Sequence, residues 1–254
     1  MRPRSRRRVL QSGVGVGLAG VAGCVSLFGD DEAAQTGRTR HETDVSLSGT
    51  GTWPTYRHDA ANTGGDPDTS GPTHDAEVAW RYSAHTEAES GVAVADSRAY
   101  AGGLVVDGEA GRRRGGDWRG HTSTPTVADG TLYVGAHDLE ARDPATAEPQ
   151  WTFETDRDVG GLPAPTVASG TVYVPGGLRD PTLYAVDADG AERWRVETDA
   201  EVNVPVAVVD ETVYAVDDES TVYAVGTDGE VRWRRTLGAD VSRSAPVVVD
   251  DRVY

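Results

Sequence analysis

Lysine and isoleucine do not occur in this chain of 254 residues, and cysteine and methionine occur once each. With Cys24 as the sole thiol, no disulfide can form within the chain, so its stability must come from packing alone. Every strongly basic side chain is arginine. These number 24 against 41 aspartates and glutamates, a formal net charge of −17. That balance argues against nucleic acid as a partner, because basic surfaces are what recruit a phosphate backbone. The acids are scattered through nearly every turn rather than gathered in one patch. Such scatter suits a protein that must stay hydrated in concentrated salt, as in a halophilic archaeon with a high-GC genome. The competing reading is an anionic surface for cations or a basic partner. Long apolar runs are missing as well. Gly13–Gly23 is mildly apolar but falls short of the roughly 20 residues a membrane-spanning helix needs.

What is present is a recurring phrase. Pro125-Thr-Val-Ala-Asp-Gly-Thr-Leu-Tyr133 returns as Pro165-Thr-Val-Ala-Ser-Gly-Thr-Val-Tyr173. It returns again in altered form ending at Tyr214 and at Tyr254, with a worn copy ending at Tyr100. The closing tyrosines lie 33, 40, 41 and 40 residues apart. Each repeat splits into short strands of β-branched and aromatic residues separated by turn signals, such as Ser169-Gly170 and Asp187-Ala-Asp-Gly190. Strands are expected at Thr166–Ala168, Thr171–Val174, Thr182–Val186 and Glu192–Thr198, with Val172 and Val174 facing one way and Tyr173 the other. No sustained helical period follows the leader, so the fold class is all-β. A period near 40 residues is too short for a tandem sandwich and fits a β-propeller of four-stranded blades.

The fourth strand of a repeat carries a tryptophan. Trp151, Trp194 and Trp233 are 43 and 39 residues apart. Ala141-Arg-Asp143-Pro-Ala-Thr-Ala-Glu-Pro-Gln-Trp151 resembles the tryptophan-docking motif of the quinoprotein (PQQ-like) propeller family, with Ala147 where the motif has glycine. The copies ending at Trp194 and Trp233 are one residue shorter, and Gly226 replaces the aspartate that is Asp187 in the other. The resemblance implies that Trp151, Trp194 and Trp233 pack between blades while Asp143 and Asp187 brace the hairpins. The first repeat departs from the pattern: Gly115 occupies the tryptophan slot and Trp118 comes three residues late, as in a decayed terminal repeat. The strands count four blades and part of a fifth. Family members usually have seven or eight, so the propeller is expected to be C-terminally incomplete, with an unpaired edge at Val247–Val249.

The N-terminus carries an address. Ser5-Arg6-Arg7-Arg8-Val9-Leu10-Gln11 resembles the twin-arginine export motif, with valine and glutamine as departures. Val21-Ala-Gly-Cys24 resembles a lipobox, in which a peptidase cuts before the cysteine and a lipid joins its sulfur as a thioether. The plainer reading is a free thiol beside an ordinary cleavage site. The expected organisation is a signal peptide at 1–23, a lipidated Cys24 and disordered acidic tether at 24–50, and the propeller at 51–254. Within the last, Trp53-Pro-Thr-Tyr-Arg-His-Asp59-Ala-Ala-Asn-Thr63-Gly64 resembles the opening segment of lipid-anchored family members and is expected to lie against the ring.

No catalytic constellation emerges. His58, His74, His121 and His137 lack metal-ligand spacing, Asp187–Gly190 and Asp228-Gly229 read as hairpin turns rather than calcium loops, and Arg114 and Arg119 read as solvated. The resemblance leaves three functions open. The first is a surface lipoprotein acting as a non-catalytic binding or scaffold module, similar in layout to the lipid-anchored propellers of bacterial outer-membrane assembly. It would have no cofactor, a membrane contact through its lipid and a protein or polymer on its loops. The second is a PQQ-dependent alcohol or sugar dehydrogenase, with PQQ over calcium, although the adjacent cysteine pair often found in such enzymes is missing. The third is an extracellular sensor or carbohydrate-binding domain.

Overall fold

The computed structural model describes residues 53–65, 78–83, 90–116, 123–155, 161–241, 243–250 and 252–254. The leader with Arg6, Arg7 and Cys24, the tether to residue 50, and His74, Trp118, Arg119 and His121 lie outside the described residues. Strands joined by turns and irregular connections make up the described chain, and none of its elements is a helix long and apolar enough to cross a membrane.

Four antiparallel four-stranded sheets follow one another in sequence order, with a two-stranded sheet after them. The first sheet holds β1 (Ala93–Ala95) to β4 (Arg113–Gly115), and the second holds β5 (Thr126–Ala128) to β8 (Pro149–Phe153). The third runs from β9 (Thr166–Ala168) through β10 (Thr171–Pro175) and β11 (Thr182–Asp187) to β12 (Glu192–Glu197). The fourth spans β13 (Ala207–Val209) to β16 (Val231–Thr236), and the last is β17 (Val248–Val249) with β18 (Arg252–Val253). Each sheet is a meander, and successive first strands β1, β5, β9, β13 and β17 are neighbours. These are propeller blades stacked side by side around their innermost strands.

Turn chemistry explains the first hairpin of each blade. Its two central residues both have positive φ: Asp96-Ser97, Asp129-Gly130, Ser169-Gly170 and Asp210-Glu211. That is the type I′ geometry, which Asn, Asp and Gly tolerate best and which matches strand twist. Ser97, Ser169 and Glu211 hold φ 57°, 48° and 61° without being one of those residues, a local cost at three of the blades.

Alternation along the strands does not separate core from solvent here. All five residues of β10 are buried, and Val172 and Val174 do face away from Tyr173. The valines join Tyr133 and Leu139 of the second blade, whereas Tyr173 joins Val202, Val213 and Tyr223 of the fourth. A blade in the stack has a neighbour on each face, so both faces of its inner strands are apolar, unlike those of a solvated sheet. Burial raises the pKa of the phenols of Tyr100, Tyr133 and Tyr173, and pushes Tyr223 up to about 12, the charge of Asp217 adding to the burial effect. In the unfolded chain a tyrosine ionises near pH 10. Their contribution is therefore complete below about pH 10 and is lost as pH rises toward 12. Absorbance at 295 nm should show these tyrosines ionising together with loss of the β-sheet circular dichroism. Smooth ionisation near pH 10 with the sheet signal intact would contradict this packing.

The opening segment runs across the innermost strands. Trp53 exchanges two backbone hydrogen bonds with Val94, both 2.7 Å, and Pro54 O accepts from Val127 N at 2.7 Å. Further along, Ala60 O accepts from Val208 N (2.7 Å) and Ala61 O from Val248 N (3.1 Å). The backbone donor of Val248, in the stretch expected to carry an unpaired edge, is thus taken by the opening segment, and Val247 pairs with Tyr254. Hydroxyls join the inner strands laterally. Thr126 Oγ1 donates to Pro165 O (2.6 Å) and Thr166 Oγ1 to Val206 O (2.9 Å). The next blade has Ala207 at that position and no hydroxyl to give. Asn62 takes over: its Nδ2 donates to Val206 O at 3.1 Å and to Pro246 O at 3.0 Å, and its side chain is buried.

Candidate functional site

One residue row crosses each blade from the innermost strand to the outermost. In the second blade it reads Thr126–Tyr133–Ala141–Trp151, in the third Thr166–Tyr173–Ala185–Trp194, and in the fourth Ala207–Tyr214–Ala224–Trp233. The small alanine lets the two rings meet across it, with centroids 6.0, 5.8 and 6.2 Å apart. Trp151 then reaches the next blade's last turn: its Nε1 donates to Ala188 O at 2.9 Å, and its ring lies where a Cβ on Gly190 would fall, 2.8 Å away. Trp194 repeats this with Thr227 O (2.9 Å) and Gly229 (2.8 Å). Both glycines hold positive φ, 86° and 89°. Glycine is required there twice over, by the backbone angle and by the ring. Trp233 is 45% exposed, with no such turn over it among the described residues.

Two blade junctions were not legible in the pattern of motifs. Trp80 makes the same dock on the first blade, donating to Gly108 O at 2.6 Å against Gly111. Its signal was Val105-Val-Asp107-Gly-Glu-Ala-Gly111, a turn with a glycine for a ring to cover. The junction after it has no ring. Gly115 sits opposite Val105, in the register where Trp151 sits opposite Ala141. A Cβ on Gly115 would meet Thr146 O at 2.6 Å, and the glycine slot of the facing turn holds Ala147, with φ 63° and a methyl buried among Ala93, Tyr100 and Val127. Tyr100 Oη supplies the hydrogen bond to that turn, donating to Pro144 O at 3.1 Å. The first repeat is therefore repacked: valine for alanine, glycine for tryptophan, and alanine for glycine across the junction.

The aspartates hold their own turns. Asp143 Oδ1 accepts from the N–H groups of Ala145 and Thr146, both at 2.8 Å, and these bonds hold its carboxyl below the usual range. Asp187 Oδ1 accepts from Asp189 N (3.0 Å) and Ala191 N (2.9 Å). Asp107 does likewise with Ala110 N (2.6 Å), and Arg114 adds two bonds to its other oxygen, so that Asp107 is also depressed. Arg114 is thereby a brace for its own hairpin. Where the fourth blade has Gly226, Asp228 Oδ1 occupies the space of the missing side chain and accepts from Glu230 N at 3.0 Å.

The concave feature lies elsewhere, beside the opening segment. An open cavity of about 510 Å³ is lined by Trp53, Thr55, Tyr56 and Arg57 and by the segments that lead into the first strands of four blades. Ser123 and Thr124 come from one of these, Leu162 and Pro163 from another, and Asn203 from a third. Arg57 is the only charged side chain in the described lining. Its backbone is left-handed (φ 49°), pinned by Asp59 N and Gly64 N donating to its carbonyl at 3.0 and 2.9 Å. The guanidinium lies 5.6 Å from the centre of the Tyr56 ring. His58 packs edge-on against Trp53, with centroids 5.0 Å apart, and His137 is an exposed side chain. The described residues contain no cluster of three or more His, Cys, Asp or Glu that could hold a metal ion.

Comparison with known proteins agrees with this architecture. Residues 179–254 match the family model PQQ_2, described as outer membrane protein assembly factor BamB. The crystal structure of BamB from Moraxella catarrhalis superposes with a TM-score of 0.52 at 20% identity, covering 65% of this chain and 53% of that one. The computationally designed Ika8 protein superposes at 0.55 with 15% identity, over 64% of this chain and 53% of its own. A stretch of 78 residues is 44% identical to the serine/threonine-protein kinase AfsK of Streptomyces coelicolor, spanning 30% of this chain and 9% of the kinase. The chain thus spans a small part of the kinase and about half of each of the two structures. Together with the blades and their docked rings, these matches identify PQQ-like β-propeller repeats.

Proposed function

We propose that this propeller is a non-catalytic binding module, exported through the twin-arginine leader and held at the outer face of the cytoplasmic membrane by a lipid on Cys24. Its loop surface would be offered to a protein or polymer partner. The observation that carries the reading is how the centre is built. The chain's own segment 53–62 is hydrogen-bonded along the innermost strands, and the cavity beside it is lined by loops and one cation. A quinone held over calcium does not fit that lining. Calcium takes six to eight oxygen ligands, usually with carboxylates among them. The described lining offers hydroxyls, backbone and one amide, with a guanidinium where the ion would need anionic oxygen. The likeness to BamB, by its printed description an outer-membrane assembly factor, supports a scaffold role by analogy of fold. The stretch shared with AfsK, a protein kinase, favours a second reading, in which the propeller is the recognition part of a signalling protein.

The purified chain titrated with pyrroloquinoline quinone and calcium should show no shift in quinone absorbance, no change in Tm and no dye-linked alcohol oxidation. Stoichiometric quinone binding overturns the non-catalytic reading. The anchor is tested separately: Cys24→Ala should move the protein from the membrane fraction to the soluble fraction, and a variant that still sediments with membranes contradicts lipidation at Cys24.

A further inference from the structure

We infer that the cavity beside the opening segment binds a carboxylate-bearing sugar unit, the uronic acid type of residue found in acidic glycans; the inference rests on the binding-module reading and names its polymer. The cavity, about 510 Å³, lies in the range of small-ligand sites. Arg57 supplies the anchor. The neighbouring carboxylate, Asp59, is occupied by Thr63, whose N–H donates to it at 2.9 Å and whose hydroxyl donates to its other oxygen. No ion pair to Arg57 is formed among the described residues. Its planar fork, set over Tyr56, matches a carboxylate bidentately.

The rest of the lining suits hydroxyls and a ring face. Ser123 Oγ donates to Gly135 O at 2.9 Å and keeps its lone pairs to accept. Asn203 Nδ2 donates to Asp218 Oδ2 at 2.9 Å and keeps its carbonyl oxygen. Trp53 is 38% exposed at the cavity wall, giving an aromatic face to the C–H groups of a pyranose. An extended peptide is a poorer occupant. It would add to the inner strands through backbone donors, and those of Val94, Val127, Val208 and Val248 are already bonded to residues 53–61. The net charge of −17 repels an acidic ligand at long range, but concentrated salt removes that repulsion beyond a few ångströms while the contact pair persists.

The test is calorimetric titration of the full chain, in concentrated salt, with a galacturonic acid trimer and with maltotriose as its neutral counterpart. The acidic trimer should bind and the neutral one should not. Arg57→Gln should weaken binding at least tenfold at unchanged Tm, Arg57→Lys should lie between, and Trp53→Ala should also weaken it. No binding of the acidic trimer, equal binding of maltotriose, or full affinity in Arg57→Gln overturns the inference. Quinone binding in the earlier titration would overturn the module reading itself, so the two failures are distinct.

Discussion

Trp194→Ala is expected to lower the unfolding free energy by about 3 kcal/mol, whereas the same change at Trp233 costs less than about 1 kcal/mol. The two residues share a motif and a register, and differ in what covers them. Trp194 packs on Tyr173, fills the space over Gly229 and satisfies Thr227 O, so its removal opens a void and strands a carbonyl at a blade junction. Trp233 touches Tyr214 but is 45% exposed. A loss of 3 kcal/mol in a propeller of this size corresponds to a fall in Tm of about 6–12 °C. Urea and thermal melts of both variants, at one fixed salt concentration, read the difference. Trp194→Phe should recover part of the loss, since the ring returns without its N–H donor. Equal costs at the two positions would mean that the indole contributes within its own blade and not across the junction.

The second expectation concerns the ringless junction. Gly115→Trp alone should cost more than about 3 kcal/mol, because the new side chain must enter where Thr146 O stands 2.6 Å from its Cβ and where Ala147 fills the glycine slot. Ala147→Gly alone should be nearly neutral. It loses a buried methyl but relieves a left-handed backbone at φ 63°. Combined, with Val105→Ala to admit the ring beside Tyr100, the three changes should recover at least half the loss. A coupling of about 2 kcal/mol is ordinary for residues in contact. Additive costs in the full mutant cycle would show that the first repeat has merely lost its motif. Coupled costs would show that three departures from the pattern are one solution to one packing problem.

That junction also marks how far the amino-acid order can be read. The blades were legible because a single phrase recurs: the Asp129-Gly130 and Ser169-Gly170 turns, the alternating Val172–Tyr173–Val174, and a tryptophan at the end. Each depends on residues close in sequence. Gly115 and Ala147 read separately as a decayed repeat and a motif with one change, since nothing local ties two positions on different blades. Gly226 likewise read as a lost aspartate, although Asp228 restores the bond from two residues away. Trp80 was hidden because it stands ahead of the first complete repeat. The cavity was least legible. Arg57, Ser123 and Asn203 belong to three connections whose meeting is set by the ring and not by any spacing, and Arg57 looked like one arginine among 24.

The amide of Asn62 has a consequence for the order of events in time. Its two acceptors lie 144 and 184 positions later in the chain. During synthesis the early sheets can pair as they emerge, each from neighbours already made, but this fastening must wait until Pro246 has left the ribosome. Contacts so distant are costly to form early. Asn62 therefore belongs to a fastening expected to close late: weakening it should hasten opening of the finished protein while leaving the speed of its assembly nearly unchanged.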